Sequence, residues 1–159
     1  MRRKDRQITD TDTIKNILAS ADSCRIAFND ENYPYIVALN YGYTFENGHI
    51  TLYFHGAKEG RKADLINKNG KAAFFIDTRH RLVDDNIACK MTMEFMSIYG
   101  TGNICFINDE SEKINALTLI VGKYTAFKDR SPVFSEDMIK NTAVFKLECD
   151  FFTAKGLVR

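Results

Sequence analysis

The chain has 159 residues and a mass of 18.2 kDa, close to the usual size of one domain around one core. Hydrophobic residues make up 45% and charged residues 27%, with nine glycines and two prolines, which excludes a disordered, collagenous or low-complexity chain. Lys and Arg number 22 and Asp and Glu 21, so the net charge is +1 and the basic surplus of a general nucleic-acid binder is missing.

Met1-Arg2-Arg3-Lys4-Asp5-Arg6 is followed by no apolar run. A signal peptide needs roughly 7–15 apolar residues and a membrane span about 18, so a cytoplasmic protein without membrane contact is expected. Cys24, Cys89, Cys105 and Cys149 are scattered, with no C-x-x-C spacing, which argues against zinc and for reduced thiols. Cys24, Cys105 and Cys149 stand among apolar strand residues and are read as core fillers.

In chain order, Thr11 or Asp12 caps a helix in which Ile14, Ile17, Leu18 and Ala21 repeat at helical spacing. Cys24 to Phe28 reads as a strand, Asn29 to Asn32 as a turn, and Pro34 to Tyr43 as a second strand. Asn47-Gly48 is a hairpin turn, since both residues tolerate positive φ, and His49 to His55 returns as the third strand beside the second. Gly56 to Gly60 is a glycine-bounded loop opening a helix over Arg61 to Asn69, with Gly70 as its C-cap. Ala72 to Asp77 is a buried strand, 78–88 a charged loop, and Met91 to Tyr99 a long strand that Gly100-Thr101-Gly102 bends and Asn103 to Ile107 continues. A helix from Asp109 or Ser111 buries Ile114, Leu117, Ile120 and Val121. Residues 122–134 form a loop, Ser135 to Lys140 a helical turn, and Thr142 to Phe152 the last strand. Six or seven short antiparallel strands with peripheral helices, and no linker, predict a single α+β domain over 1–159 built on a small β-barrel.

One segment departs from the overall neutrality. From Lys58 to Lys71, the bases Lys58, Arg61, Lys62, Lys68 and Lys71 outnumber the acids Glu59 and Asp64. Three of the bases lie where a glycine-bounded loop starts a helix, and there unpaired N–H groups and the helix dipole favour an anion. Arg61 adds a fork that matches phosphate oxygens and the lysines add point charges. An exposed basic helix start without a ligand satisfies the same residues. The adjoining strands are rich in aromatic residues, which suits a ligand with a flat ring at one end and a phosphate at the other.

Arg3-Lys4-Asp5-Arg6, Cys24 to Phe28, Pro34 to Tyr43 and Leu52 to Lys62 closely resemble the nitroimidazole-resistance (Nim) proteins, a group of pyridoxamine 5′-phosphate oxidase-like flavoproteins. The His55-Gly56-Ala57 block through Gly60-Arg61-Lys62 is the most specific part. The resemblance implies a split β-barrel and a homodimer with FMN at the dimer interface. Val37, Ala38, Leu39 and Asn40 would then run along the flavin ring, with Phe54 and His55 beside ring and ribityl chain. Lys58, Gly60, Arg61 and Lys62 would hold the phosphate. Tyr99-Gly100-Thr101-Gly102 matches a later strand of the family near the site. His55 matches a histidine discussed as functional in the Nim group; on its residues alone it is equally an ordinary strand-end histidine.

Two departures argue against oxidation of pyridoxamine phosphate. Gly60 stands where true pyridoxamine 5′-phosphate oxidases carry serine, and their C-terminal Trp and Arg-x-His segment is absent. The implied activity is an FMN-dependent oxidoreductase, a nitroreductase on nitroimidazole-type compounds, drawing electrons from NAD(P)H or another donor. The alternatives are a flavin carrier without turnover, or a binder of haem or pyridoxal phosphate. His49 and His80 are read as exposed, and Glu94 as the outward residue of an alternating strand rather than an acid catalyst. Neither a nucleophile elbow, an H-E-x-x-H motif nor a Walker loop is present.

Overall fold

Strands outweigh helices in the computed structural model, which describes residues 3–124 and 132–158. After a 3₁₀ turn at Lys4–Arg6 come β1 (Gln7–Ile8), α1 (Thr11–Ser20), β2 (Cys24–Phe28), β3 (Tyr35–Leu39), β4 (Gly42–Glu46) and β5 (His49–Gly56). Then follow α2 (Arg61–Asn69), β6 (Lys71–Val83), β7 (Thr92–Phe106), α3 (Glu110–Lys123), α4 (Glu136–Asn141) and β8 (Ala143–Leu157). All strands join one antiparallel sheet in the order β3-β2-β6-β7-β8-β5-β4, with β1 on β8. The α+β class is as the sequence predicts.

The expected strand over Pro34 to Tyr43 is two strands. β3 pairs with β2, whereas β4 pairs with β5 across the Asn47-Gly48 turn, so β3 and β4 lie at opposite ends of the sheet path. Only Asn40 and Tyr41 separate them. Three chain steps span at most about 11 Å, so the sheet curls until its two ends meet at this corner. No ladder among the described residues joins β3 to β4, and β3 keeps an open edge.

Tyr41 fixes the corner. It is fully buried, its hydroxyl donates to Leu18 O at 2.7 Å, and its N–H donates to Tyr124 Oη at 3.2 Å. Inside the curl, Ile26, Phe74, Ile98 and Phe145 meet Ile17 and Leu18 of α1 and Leu65 and Ile66 of α2 in one core. A second cluster forms where α3 lays Ala116, Leu117 and Ile120 over Ile107 and Val144. Ile114 and Val121, expected in that core, are only half-buried.

Side-chain caps start α1, α3 and α4. Asp10, not Thr11 or Asp12, caps α1 by accepting from Thr13 N at 2.8 Å; Asp109 and Ser135 cap α3 and α4. Gly70 ends α2 at φ 59° as predicted. The long strands run further than the sequence pattern predicts. β6 runs on through the expected loop to Val83, kinked by a bulge between Thr78 and Arg81, and β8 reaches Leu157. The pairing of β7 with β8 shifts register at Thr101/Gly102, the expected irregularity. α3 extends to Lys123, while most of the predicted 122–134 loop lies outside the described residues.

Two side chains face otherwise than expected. Glu94 points inward and is fully buried, accepting from Arg81 Nε and Nη2 at 2.8 and 2.9 Å with Arg79 at 3.7 Å. The paired arginines make an inward carboxylate tolerable on this strand. Cys105 is exposed rather than a core filler. His80 lies within β6, exposed as expected, with Nε2 3.0 Å from Asp77 Oδ2.

Candidate anion-binding loop and open strand edge

β5 delivers the chain into Gly56–Gly60, and α2 begins at Arg61. Gly60 has φ 107°, a conformation that favours glycine, and α2 has no side-chain cap. Its first N–H groups are therefore left for water or a ligand, at the positive end of the helix dipole.

The three bases differ in their surroundings. Lys62 is half-buried, with Nζ 5.2 Å from the centre of the Phe145 ring. Its ammonium has no hydrogen-bond or ion-pair partner among the described residues, and burial lowers its pKa from 10.5. Gly56 makes the room: a Cβ there would fall 2.6 Å from Lys62 Nζ. Arg61 leans the other way, its guanidinium 5.2 Å from the Tyr35 ring centre and its Nε donating to Asp30 Oδ2 at 2.6 Å. Lys58 is exposed and lines a cavity of about 320 Å³ with Asn67, Asn108, Lys113 and Thr142. An unpaired, partly desolvated ammonium, a guanidinium with donors to spare and an uncapped helix start fit a phosphate.

Arg61 ties the loop to β3, because Tyr35 is the first residue of that strand. The β2–β3 turn is fastened to α2 as well, by Asn69 Nδ2 donating to Asn29 O at 2.7 Å and Lys68 Nζ at 3.5 Å from Glu31 Oε1. The cationic loop thus stands at the foot of an open strand edge with unpaired backbone groups.

Along that edge, Ala38 and Ile36 face outward, whereas Val37 and Leu39 are half-buried against the core. Asn40 is exposed and its Nδ2 donates to Asp22 O at 3.3 Å. His55, at the end of β5, is exposed and without a hydrogen-bond or ion-pair partner among the described residues. Phe54 and Tyr41 do not line a site through their side chains. Both rings are fully buried, Phe54 stacked on Phe145 at 5.4 Å, because inward alternation places them in the core. Lys58, Gly60, Arg61 and Lys62 share one loop and helix start, with Arg61 turned towards Tyr35, Lys62 towards Phe145 and Lys58 towards its own cavity; Tyr99 is not with them.

Tyr99 lies on the outer sheet face, in the cross-strand row Ala38, Arg25, Phe75, Tyr99, Thr153. Three strand spacings, roughly 14 Å, separate it from Ala38. It borders a groove of about 440 Å³ with Phe75, Ser97 and Phe151. The adjacent glycines do permit close packing, but within the sheet: a Cβ on Gly100 would strike the Phe74 ring and one on Gly102 the Glu148 carbonyl. Sequence reasoning missed Asp30 and the role of Tyr35. They lie 31 and 26 residues before Arg61, and no local pattern links them to it.

Among the described residues, no cluster of potential metal ligands occurs, and no helix is long and apolar enough to cross a membrane.

The curled antiparallel sheet, with peripheral helices and a cationic loop beside an edge strand, places the chain among α+β proteins. The sequence pattern of the family described as pyridoxamine 5′-phosphate oxidase matches residues 10–156, and the chain belongs to that family. It is similar to the crystal structure of a candidate 5-nitroimidazole antibiotic resistance protein from Bacteroides thetaiotaomicron. That likeness has 32% identity, covers 94% of this chain and 86% of the other, and gives a TM-score of 0.81. The fold recurs in the flavocytochrome Anf3 from Azotobacter vinelandii, at 20% identity, TM-score 0.78, and coverage of 100% and 72%. It recurs again in the FAD and heme binding protein from Mycobacterium smegmatis, at 14% identity, TM-score 0.80, and coverage of 95% and 73%. The chain matches no curated protein sequence.

Proposed function

We propose that this protein is an FMN-dependent oxidoreductase that reduces small acceptors of the nitroimidazole type, with NAD(P)H as electron donor. The observation that carries the reading is the junction of loop and edge. Arg61 over Tyr35 sets guanidinium donors at the foot of β3, whose open edge offers backbone N–H and C=O groups to a flat heterocycle. The likeness to the Bacteroides protein supports the acceptor class. Cytoplasmic location is part of the same reading.

FMN, when bound, supplies the two-electron chemistry. The residues of this chain bind and orient. Lys58, Arg61, Lys62 and the N–H groups following Gly60 hold the phosphate, the backbone of Val37 to Asn40 reads the ring edge, and Ala38 offers a small side chain that allows close approach. His55, exposed and without a hydrogen-bond or ion-pair partner among the described residues, could bond an acceptor oxygen or donate a proton beside the loop.

The curled sheet is read as a split barrel, and the active form as a homodimer. Ile36 and Phe151, 60% and 56% exposed, share the outer face with Tyr99, Phe75 and Met93. Such a stripe on one sheet face is more than single scattered surface residues require. In a dimer across this face Tyr99 would serve the site from a distance its own chain does not bridge.

The test is direct. The purified protein is expected to be yellow or to take up FMN, to bleach with NADH or NADPH without oxygen, and to recover colour on adding a nitroimidazole. Failure to take up FMN overturns the reading; uptake without any reduction by NADH or NADPH leaves a carrier.

A further inference from the structure

We propose that Asp30 is a positioning residue that sets the Arg61 guanidinium for phosphate, an inference that rests on the placement of the FMN phosphate at this loop. Asp30 Oδ2 accepts from Arg61 Nε at 2.6 Å and lies 2.5 Å from Nη2, so one carboxylate oxygen occupies one edge of the fork. The Tyr35 ring covers a face at 5.2 Å. Arginine carries five N–H donors, and this arrangement leaves both Nη1 protons and one on Nη2, the outer fork that meets phosphate bidentately.

The two partners differ in burial in the sense positioning requires. The Asp30 side chain is 13% exposed, whereas that of Arg61 is 65% exposed. The anchor is fixed and the working group open. Asp30 is itself held by its turn, where its carbonyl accepts from Tyr33 N at 3.0 Å, and by the bonds from Asn69 and Lys68 that fasten this turn to α2. An arginine otherwise free to sample many rotamers is held with its fork directed away from Asp30, and the ordering cost of binding is reduced before the ligand arrives.

The carboxylate also repels a phosphate, and removing it frees Arg61 from a rival anion. The two effects have opposite sign, so Asp30→Ala and Asp30→Asn together separate them. Asparagine keeps an acceptor oxygen at the same reach and drops the charge.

The experiment measures the dissociation constants of FMN and riboflavin for the wild type, Asp30→Ala, Asp30→Asn, Arg61→Ala and the Asp30→Ala/Arg61→Ala double variant. Riboflavin lacks the phosphate and reports the ring site alone. Asp30→Ala is expected to weaken FMN about tenfold with riboflavin unchanged, Asp30→Asn to recover at least half of that loss on a logarithmic scale, and the double variant to match Arg61→Ala. Tighter FMN binding by both Asp30 variants would mean that Asp30 competes, and overturns the proposal. So does an equal loss for FMN and riboflavin, the signature of a merely structural role. If Arg61→Ala leaves the FMN-to-riboflavin ratio unchanged, the phosphate lies elsewhere and the functional reading falls with the inference. If Arg61→Ala lowers that ratio while Asp30→Ala does not, the inference about Asp30 alone falls.

Discussion

Replacing both Arg61 and Lys62 by alanine removes the charged part of the loop while leaving β3 and its ring-binding edge in place. Arg61 has its outer fork free after pairing with Asp30, and Lys62 has no hydrogen-bond or ion-pair partner among the described residues, so each can offer at least one charge-assisted bond. At about 1.5 kcal/mol per bond, the pair contributes about 3 kcal/mol to FMN binding. That is on the order of a hundredfold in affinity. The fold should tolerate the change. Arg61 is mostly exposed but its partner Asp30 is largely buried, so loss of the pair should cost about 1–2 kcal/mol. Lys62 gives up a cation–π contact with Phe145, offset by relief from its own desolvation. Titration of flavin fluorescence with FMN and riboflavin, beside urea denaturation of the apoprotein, reads all three quantities. An FMN affinity within threefold of wild type, or an equal loss for riboflavin, refutes the placement of the phosphate.

The lowered pKa of Lys62 predicts that FMN affinity declines with rising pH before the usual lysine value of 10.5 is reached, because the neutral amine cannot pair with phosphate. Lys62→Arg, charged throughout, should hold the affinity flat over that range in the same titration. Gly102→Ala should cost about 2–3 kcal/mol, since its Cβ would lie 2.1 Å from the Glu148 carbonyl oxygen and 2.9 Å from Cys149 Cα, both backbone atoms that cannot step aside. Gly122→Ala, with nothing within 4 Å, should instead stabilise α3 by roughly 0.5 kcal/mol. Thermal unfolding of the two variants checks the contrast, and similar shifts would contradict the packing of β7 on β8. Tyr41→Phe should cost about 1 kcal/mol in urea denaturation, because the buried Leu18 carbonyl loses its donor.

Local chemistry made much of this legible. The Asn47-Gly48 turn, the Gly60 start and Gly70 end of α2, and the register of Cys24–Phe28 follow from φ preferences and period-two burial, which act within a few residues. The basic loop was legible for the same reason, as three bases at a glycine-bounded helix start. The orientation of Glu94 was not. Strand alternation around Met91–Tyr99 permits either phase, and the buried phase is tolerated only because Arg81, brought across from β6, supplies the countercharge. Phe54 stands beside the loop in the sequence, yet only packing shows that its ring, like that of Tyr41, is consumed by the core.

The sequence by itself determined an α+β chain of antiparallel strands and a cationic loop suited to one phosphate, since propensity, capping and local charge need no distant partner. Tertiary structure decided where that loop points. The break at Asn40-Tyr41 sends β3 and β4 to opposite ends of a curled sheet and leaves β3 with an open edge. Pairing of β2 with β6, the strand that follows α2, brings Asp30 and Tyr35 against Arg61. Those contacts join residues some thirty positions apart, and strand order rather than local sequence determines that they meet.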